Sequence, residues 1–276
     1  MSILNIPQIF QNDDTIYHYT TSETALLYIL KDMKLKLSPR LNSLDPIENT
    51  KEFISYSGHS DFKLVEIGRK ISKELKNAKQ LSFCKNIPDE LNAGIPTVYP
   101  LEKYGFAKPR MWDNYGDKYK GVCLAFSKIK LQNTLKDTIY FDNEKDVEYL
   151  KYNEFLIRHH SISWQGSEEE TYEHFLKMFK RRLFFKHADY SMENEYRICS
   201  LSNEKFDYIN IHDSFIGLVV TNKGLNIHLY DEFAKLLNSY INLPFLIISF
   251  DNKNFQVLTY EQRKNMIKKL NENLIK

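Results

Sequence analysis

The longest apolar runs in this chain, such as Leu243–Phe250, are far too short to cross a bilayer. Runs of that length bounded by turn residues are strand material, and they demand a buried sheet. Thr15–Thr20, Gln80–Lys85, Gly121–Phe126, Thr138–Asp142, Glu193–Leu201, Phe215–Thr221, Leu243–Phe250 and Phe255–Leu258 read in this way. Leu35 and Leu37, alternating with lysines, mark a further strand that ends at Ser38-Pro39. Between the strands the apolar period changes to that of a helix. Leu26, Ile29, Leu30 and Met33 share one helical face, and Leu64, Ile67, Ile71 and Leu75 share another. Thr20 and Glu23 have the spacing of a capping box for the first of these helices. Charged amphipathic helices are expected near Asp146–His159 and Glu168–His187, with further helices at Leu229–Ile241 and from Tyr260. Arg40–Asn49 reads as a polar loop, and Asn86–Arg110, with four prolines, as a long surface excursion.

This order of elements predicts an α+β fold with a mostly antiparallel sheet rather than a doubly wound parallel one. No repeat or low-complexity linker divides the chain, so a single domain over residues 1–276 is expected, with a helical insertion near 144–188. Apolar residues at 42% supply a core, and a formal net charge of +2 gives no strong field, so charge does not demand a nucleic-acid partner. Cys84, Cys123 and Cys199 are odd in number and sit in apolar runs, which predicts buried free thiols in a reducing compartment. The opening MSILNIPQIF lacks the basic and long apolar regions of a signal peptide. A soluble, cytoplasmic protein is expected.

The common catalytic signatures are absent: no glycine-rich phosphate loop, no GxSxG elbow, no HExxH. The cysteines lack paired ligand spacing, so no metal is expected, and Pro88-Asp89 is a faint start for a nuclease carboxylate site without a convincing partner strand. What remains is polar residues at strand ends. Tyr17-His18-Tyr19-Thr20 closes the first strand, Leu44-Asp45-Pro46-Ile47-Glu48 is an acidic turn, and Ser82-Phe83-Cys84 lies in a strand. Met111-Trp112-Asp113-Asn114-Tyr115-Gly116 precedes Lys120-Gly121-Val122-Cys123, and Glu193-Asn194-Glu195-Tyr196-Arg197 opens a late strand.

In this order the segments resemble a bacterial family known only as a domain of unknown function, with the pattern YHYT, NDPFE, SFS, MWxHYxxxxxGVC and ExEYR. The resemblance runs from about Ile16 to Val220. Leu44, Cys84 and Tyr190 depart from it, standing where the family has Asn, Ser and commonly Trp. That family is in turn similar to ADP-ribosyltransferases, which implies a split antiparallel sheet with flanking helices and NAD as the substrate. The resemblance assigns His18 with Thr20 to the early strand, Ser82 to the middle one and Glu195, with Glu193, to the late one. Glu195 would stabilise the oxocarbenium-like state formed as the nicotinamide–ribose bond breaks. Glu193 would orient an acceptor, and His18 would bond a ribose hydroxyl. Tyr19, Trp112 or Tyr115 would stack on a ring of the ligand. Ser82 and Arg197 complete the NAD-contacting set. The acceptor is open between protein, nucleic acid and small molecule, and such bacterial enzymes often serve as toxins or in anti-phage defence.

Plainer readings stand beside these. Glu193, Glu195 and Arg197 could form a strand face with an internal ion pair, His18 could be a core histidine, Trp112 a core anchor and Ser82 a packing residue. Asp45 and Glu48 could simply form their turn. At the level of function the alternatives are a non-catalytic nucleotide- or partner-binding module and a nuclease effector.

Overall fold

A computed structural model describes residues 6–43, 55–56, 62–87, 100–136, 143–157, 161–223, 243–250 and 255–259, with Phe233 and Gln262 as isolated positions. Strand β1 (Thr15–Thr20) follows a short 3-10 turn. Thr20 completes the pairing of β1 and does not cap the next helix. Thr21 does so, its hydroxyl accepting from Thr24 N–H at 3.1 Å. The strand runs one residue further than the capping-box spacing implies, because Thr20 has a partner in Val122. Helix α1 starts as Ser22–Thr24, widens into a π-helical turn over Ala25–Ile29 and ends as Leu30–Asp32. Strands β2 (Lys34–Lys36), β3 (Ser38–Pro39) and β4 (Ser55–Tyr56) come next, then α2 (Phe62–Lys76) and β5 (Lys79–Lys85). Helix α2 buries Leu64, Ile67, Ile71 and Leu75, the face its spacing marks out.

From Pro100 the supposed surface excursion turns inward. Two 3-10 turns, Pro100–Lys103 and Gly105–Ala107, bury Leu101 and Phe106, and Tyr104 between them is buried too. Pro109 then opens α3 (Pro109–Asn114), a position that needs no backbone donor. Prolines here mark tight turns across the core rather than a solvated loop. Beyond α3, Asp117, Lys118 and Tyr119 all have positive φ (48°, 53° and 72°), a left-handed turn made without glycine. It is closed by Tyr119 N–H to Trp112 O at 3.1 Å and Gly121 N–H to Gly116 O at 2.8 Å. Gly121 is required by contact, since a Cβ there would strike the Thr20 carbonyl oxygen.

Strand β6 (Val122–Ser127) and helix α4 (Lys128–Lys136) follow. The single helix expected over Asp146–His159 is instead β7 (Asn143–Asp146), β8 (Glu148–Leu150) and α5 (Tyr152–Ile157). Strand pairing decides the segment, β7 with β11 and β8 with β10, and these distant partners override the helix that the local charge density suggests. After β9 (Ser161–Ile162), helix α6 (Glu168–Lys180) opens with a capping box, Ser167 with Glu170. It stops at Lys180, and the remainder of the expected helix to His187 is a 3-10 turn and strand β10 (Phe185–His187). Strands β11 (Glu195–Ser200), β12 (Tyr208–Asn210), β13 (Phe215–Thr221), β14 (Phe245–Phe250) and β15 (Phe255–Thr259) complete the described chain. The turn with Asp45 and Glu48, Pro88-Asp89, the expected strand Thr138–Asp142 and, apart from Phe233 and Gln262, the two expected C-terminal helices lie outside the described residues.

The chain divides into two compact units, one of Met1–Leu35, Phe83–Lys136 and Asn210–Lys276, the other of Lys36–Ser82 and Asp137–Ile209. In the first, β1 lies between β6, paired antiparallel from Thr15↔Ser127 to Thr20↔Val122, and the end of β5, paired through Tyr17↔Cys84. The sheet continues from β6 to β13, β14 and β15, where β13 and β14 are parallel and the other two pairs antiparallel. One face of it packs Tyr17, Tyr19, Cys123, Ala125, Val219 and Ile248 against Phe10, Phe106 and Trp112. In the second unit, β11 lies between the start of β5 and β7, with β3 antiparallel to β5. Strands β8 and β10 pair in parallel, as do β4 and β9. Helices α2 and α6 share a core of Leu64, Ile67, Ile71, Phe175, Phe179 and Cys199. The architecture is mixed, with a mostly antiparallel open sheet and several helices. Among the described residues no helix is long and apolar enough to cross a membrane.

Candidate functional site

The second unit concentrates its buried charge where β11 begins. Asn194, left-handed at φ 46°, closes the 3-10 helix Ala188–Glu193 and starts the strand at Glu195. Glu193 is therefore not a strand residue, and the row of three side chains expected on one strand face reduces to Glu195 and Arg197. Glu193 nevertheless joins them through Lys186, the inward-facing residue of β10. Lys186 Nζ donates to Glu193 Oε2 at 2.7 Å and lies 3.4 Å from Glu195 Oε2. Arg197 Nε donates to Glu195 Oε1 at 2.7 Å, and its Nη1 to the Leu183 carbonyl oxygen at 2.6 Å. All four charged residues are at most 4% exposed.

Two cations and two anions cancel, which is what allows such a group to be buried. Burial alone would raise the Glu195 carboxyl above the ordinary range. Arg197, Lys186 and a hydrogen bond from Ser82 outweigh it and bring the carboxyl down to about 2. Glu195 is thus firmly ionised. Tyr149 supports the strand start by accepting the Glu195 N–H at 2.8 Å. Its phenol is pushed well up by burial and by the neighbouring Glu195 charge, and stays neutral. The Lys186 ammonium also stands 4.7 Å from the centre of the Tyr190 ring.

Ser82, Glu193, Glu195 and Arg197 are therefore brought together, with Lys186, Tyr149 and Tyr190 added. Lys186 carries a weak sequence signal: a lysine directly after the apolar run Leu183–Phe185, easily taken for the end of an amphipathic helix. Tyr149 has none, because its strand is too short to show a period.

His18, Tyr19, Thr20, Trp112 and Tyr115 belong to the first unit. His18 is half-buried on the β1 face opposite Tyr17 and Tyr19, edge-to-face with Phe83 at 5.8 Å. Tyr19 donates its hydroxyl to Gly105 O at 2.7 Å and meets Trp112 edge-to-face at 5.1 Å. Trp112 is fully buried, its indole N–H given to Phe106 O at 2.9 Å. Both rings are members of the core. Thr20 is partly exposed at the strand end, and Tyr115 is half-buried against that core. Cys84, Cys123 and Cys199 are buried free thiols, as their apolar settings imply.

A family model described as a protein of unknown function, DUF2971, matches residues 111–198. The matched stretch reaches from the start of the Met-Trp segment to the middle of β11, so it takes in Lys186, Glu193, Glu195 and Arg197. No curated protein matches the chain, and no solved structure does.

Proposed function

We propose that the chain cleaves NAD at the nicotinamide–ribose bond, as an ADP-ribosyltransferase-like enzyme or NAD glycohydrolase, with Glu195 as the catalytic carboxylate. The observation that supports this reading is the ionised, buried state of Glu195. As the C1′–N bond breaks, its electron pair leaves with nicotinamide, which becomes neutral, and positive charge grows on the ribose ring. A carboxylate that stabilises that charge must be an anion before the reaction starts, in surroundings where water does not screen it. Arg197 fixes Oε1 at 2.7 Å, whereas the 3.4 Å contact from Lys186 to Oε2 is the longer one. Oε2 is the oxygen able to turn to a ribose 2′-hydroxyl, while Lys186 keeps Glu193 at 2.7 Å. An acceptor hydroxyl or water then attacks C1′, forming the new C1′–O bond, and releases its proton to solvent. A toxin or anti-phage role belongs to the same proposal.

The test is nicotinamide release from NAD by the full chain and by Glu195→Gln. The variant should lose about 10²–10³-fold in rate, the typical loss for one such electrostatic contact. A variant that turns over at the wild-type rate removes Glu195 from the mechanism.

One observation favours a second reading. Both Glu195 oxygens are engaged and the residue is 4% exposed, as expected of a structural ion cluster in a non-catalytic binding module. On that reading the wild type releases no nicotinamide at all, and Glu195→Gln shows only a loss of stability.

A further inference from the structure

In the second unit, the stretch leading into β12 alternates strictly. Phe206 and Tyr208 face outward, 44% and 51% exposed, while Asp207 between them and Ile209 after them are buried. The two rings lie 6.4 Å apart, inclined at 59°. Lys36 Nζ, from the paired strand β2, stands 3.7 Å from the Phe206 ring centre, and Lys205 Nζ 5.2 Å from it. Adjacent exposed aromatics are costly to keep in water and need a reason.

The support beneath them is rigid. The Asp207 carboxylate accepts from buried Lys79 at 2.9 Å and from the Ser202 hydroxyl at 2.6 Å, and its carbonyl accepts Leu37 N–H at 2.9 Å. Asp207 is thereby turned inward and neutralised. Lys36 and Lys205 then outnumber Glu204, the exposed carboxylate of this stretch. The result is a positively charged surface with two exposed aromatic rings, the Phe206 ring having Lys36 over it.

We propose that this face binds single-stranded nucleic acid, with bases stacking on Phe206 and Tyr208 and phosphates held by Lys36 and Lys205. Unpaired bases offer a π-face to exposed aromatics, whereas the bases of a duplex are already stacked on one another. Lysines beside the rings match the charge of the backbone that joins successive bases. A membrane surface fits less well, because Tyr208 and the lysines leave Phe206 as the single apolar group to insert. The binding is independent of the NAD chemistry and is measured without NAD.

The experiment is fluorescence anisotropy of labelled oligothymidylate and oligouridylate, each of about 20 nucleotides, titrated with the full chain at several salt concentrations. Phe206→Ala and Tyr208→Ala should each weaken binding by about 5- to 100-fold, the usual range for one stacked base. Lys36→Glu with Lys205→Glu should weaken it further and flatten the dependence of log affinity on log salt by about 1–2. All four side chains are exposed, so the melting temperatures should hold. No binding at low salt overturns the proposal, as do ring variants that bind like wild type, a duplex that competes as well as single strands, or binding to phosphatidylserine vesicles in place of oligonucleotides.

Discussion

Replacing Lys186 by Met tests whether the cluster at the start of β11 is a closed electrostatic unit. The substitution keeps a linear side chain of similar volume and removes one charge from a group of four that sum to zero. Lys186 Nζ is 2.7 Å from Glu193 Oε2 and 3.4 Å from Glu195 Oε2, with every partner at most 4% exposed. Removing one member of such a group leaves a buried carboxylate uncompensated, which costs about 3–5 kcal/mol at neutral pH. In the variant, one of the two carboxylates then prefers to carry a proton. A group whose folded pKa is raised stabilises the fold below its unfolded pKa and loses that effect as pH rises, so the deficit of the variant should shrink from pH 7 toward pH 5. Adding Glu193→Gln should restore neutrality and recover at least about 2 kcal/mol, a coupling within the range for residues of one charge network. Urea denaturation of wild type, both single variants and the double variant at several pH values gives the full cycle. A Lys186→Met loss below about 1 kcal/mol at pH 7, or a deficit independent of pH, would mean that water already screens these charges, and the reasoning for an ionised Glu195 in a dry setting would fall.

The wild type should itself lose stability in acid. The Glu195 carboxyl is lowered to about 2 in the fold, so its contribution is complete above the ordinary carboxylate range and disappears as pH falls from about 4.5 toward 2. A shift of that size is worth about 3 kcal/mol, read as a fall in urea midpoint that Glu195→Gln should not show. Trp112→Ala should cost about 3–5 kcal/mol, since it empties a fully buried site and orphans the Phe106 carbonyl; a small loss in a thermal melt would contradict its place in the core. Lys118→Gly should stabilise by about 0.5–1 kcal/mol by relieving a positive φ, its exposed ion pair with Asp113 being worth little, and an unchanged melting temperature would show the left-handed turn to be unstrained. Burial pushes the Cys123 thiol well up, and a nearby Cys84 adds to this, so alkylation should proceed only at the rate of unfolding; fast modification of native protein would refute that.

What the sequence showed and what it concealed follow from the range of the forces involved. Strand β6 reads from its residues because Val122–Phe126 are buried without interruption. Helix α2 is equally plain, with its buried face set by a period that local residues reveal. The failures share a cause: a local pattern overruled by a distant partner. Thr20 has the spacing of a helix cap, yet its pairing with Val122 keeps it in the strand and hands the cap to Thr21. Pro100 and Pro109 suggest a surface loop, yet Phe106 between them packs edge-to-face against Tyr17 at 5.5 Å. The same logic governs the candidate site. Glu195 and Arg197, two apart on a strand, were bound to share a face, and the plainer expectation of an internal ion pair between them is what the 2.7 Å contact shows. Lys186 could not be assigned from local spacing, because its inward direction comes from the pairing of β10 with β8 and it meets Glu193 across the 3-10 helix Ala188–Glu193. A lysine in an apolar stretch is expensive unless a distant carboxylate awaits it. A lysine closing an apolar run such as Leu183–Phe185 is therefore a sign of a buried charge partner, and here Glu193 and Glu195, beyond the exposed Asp189, are the carboxylates that answer it.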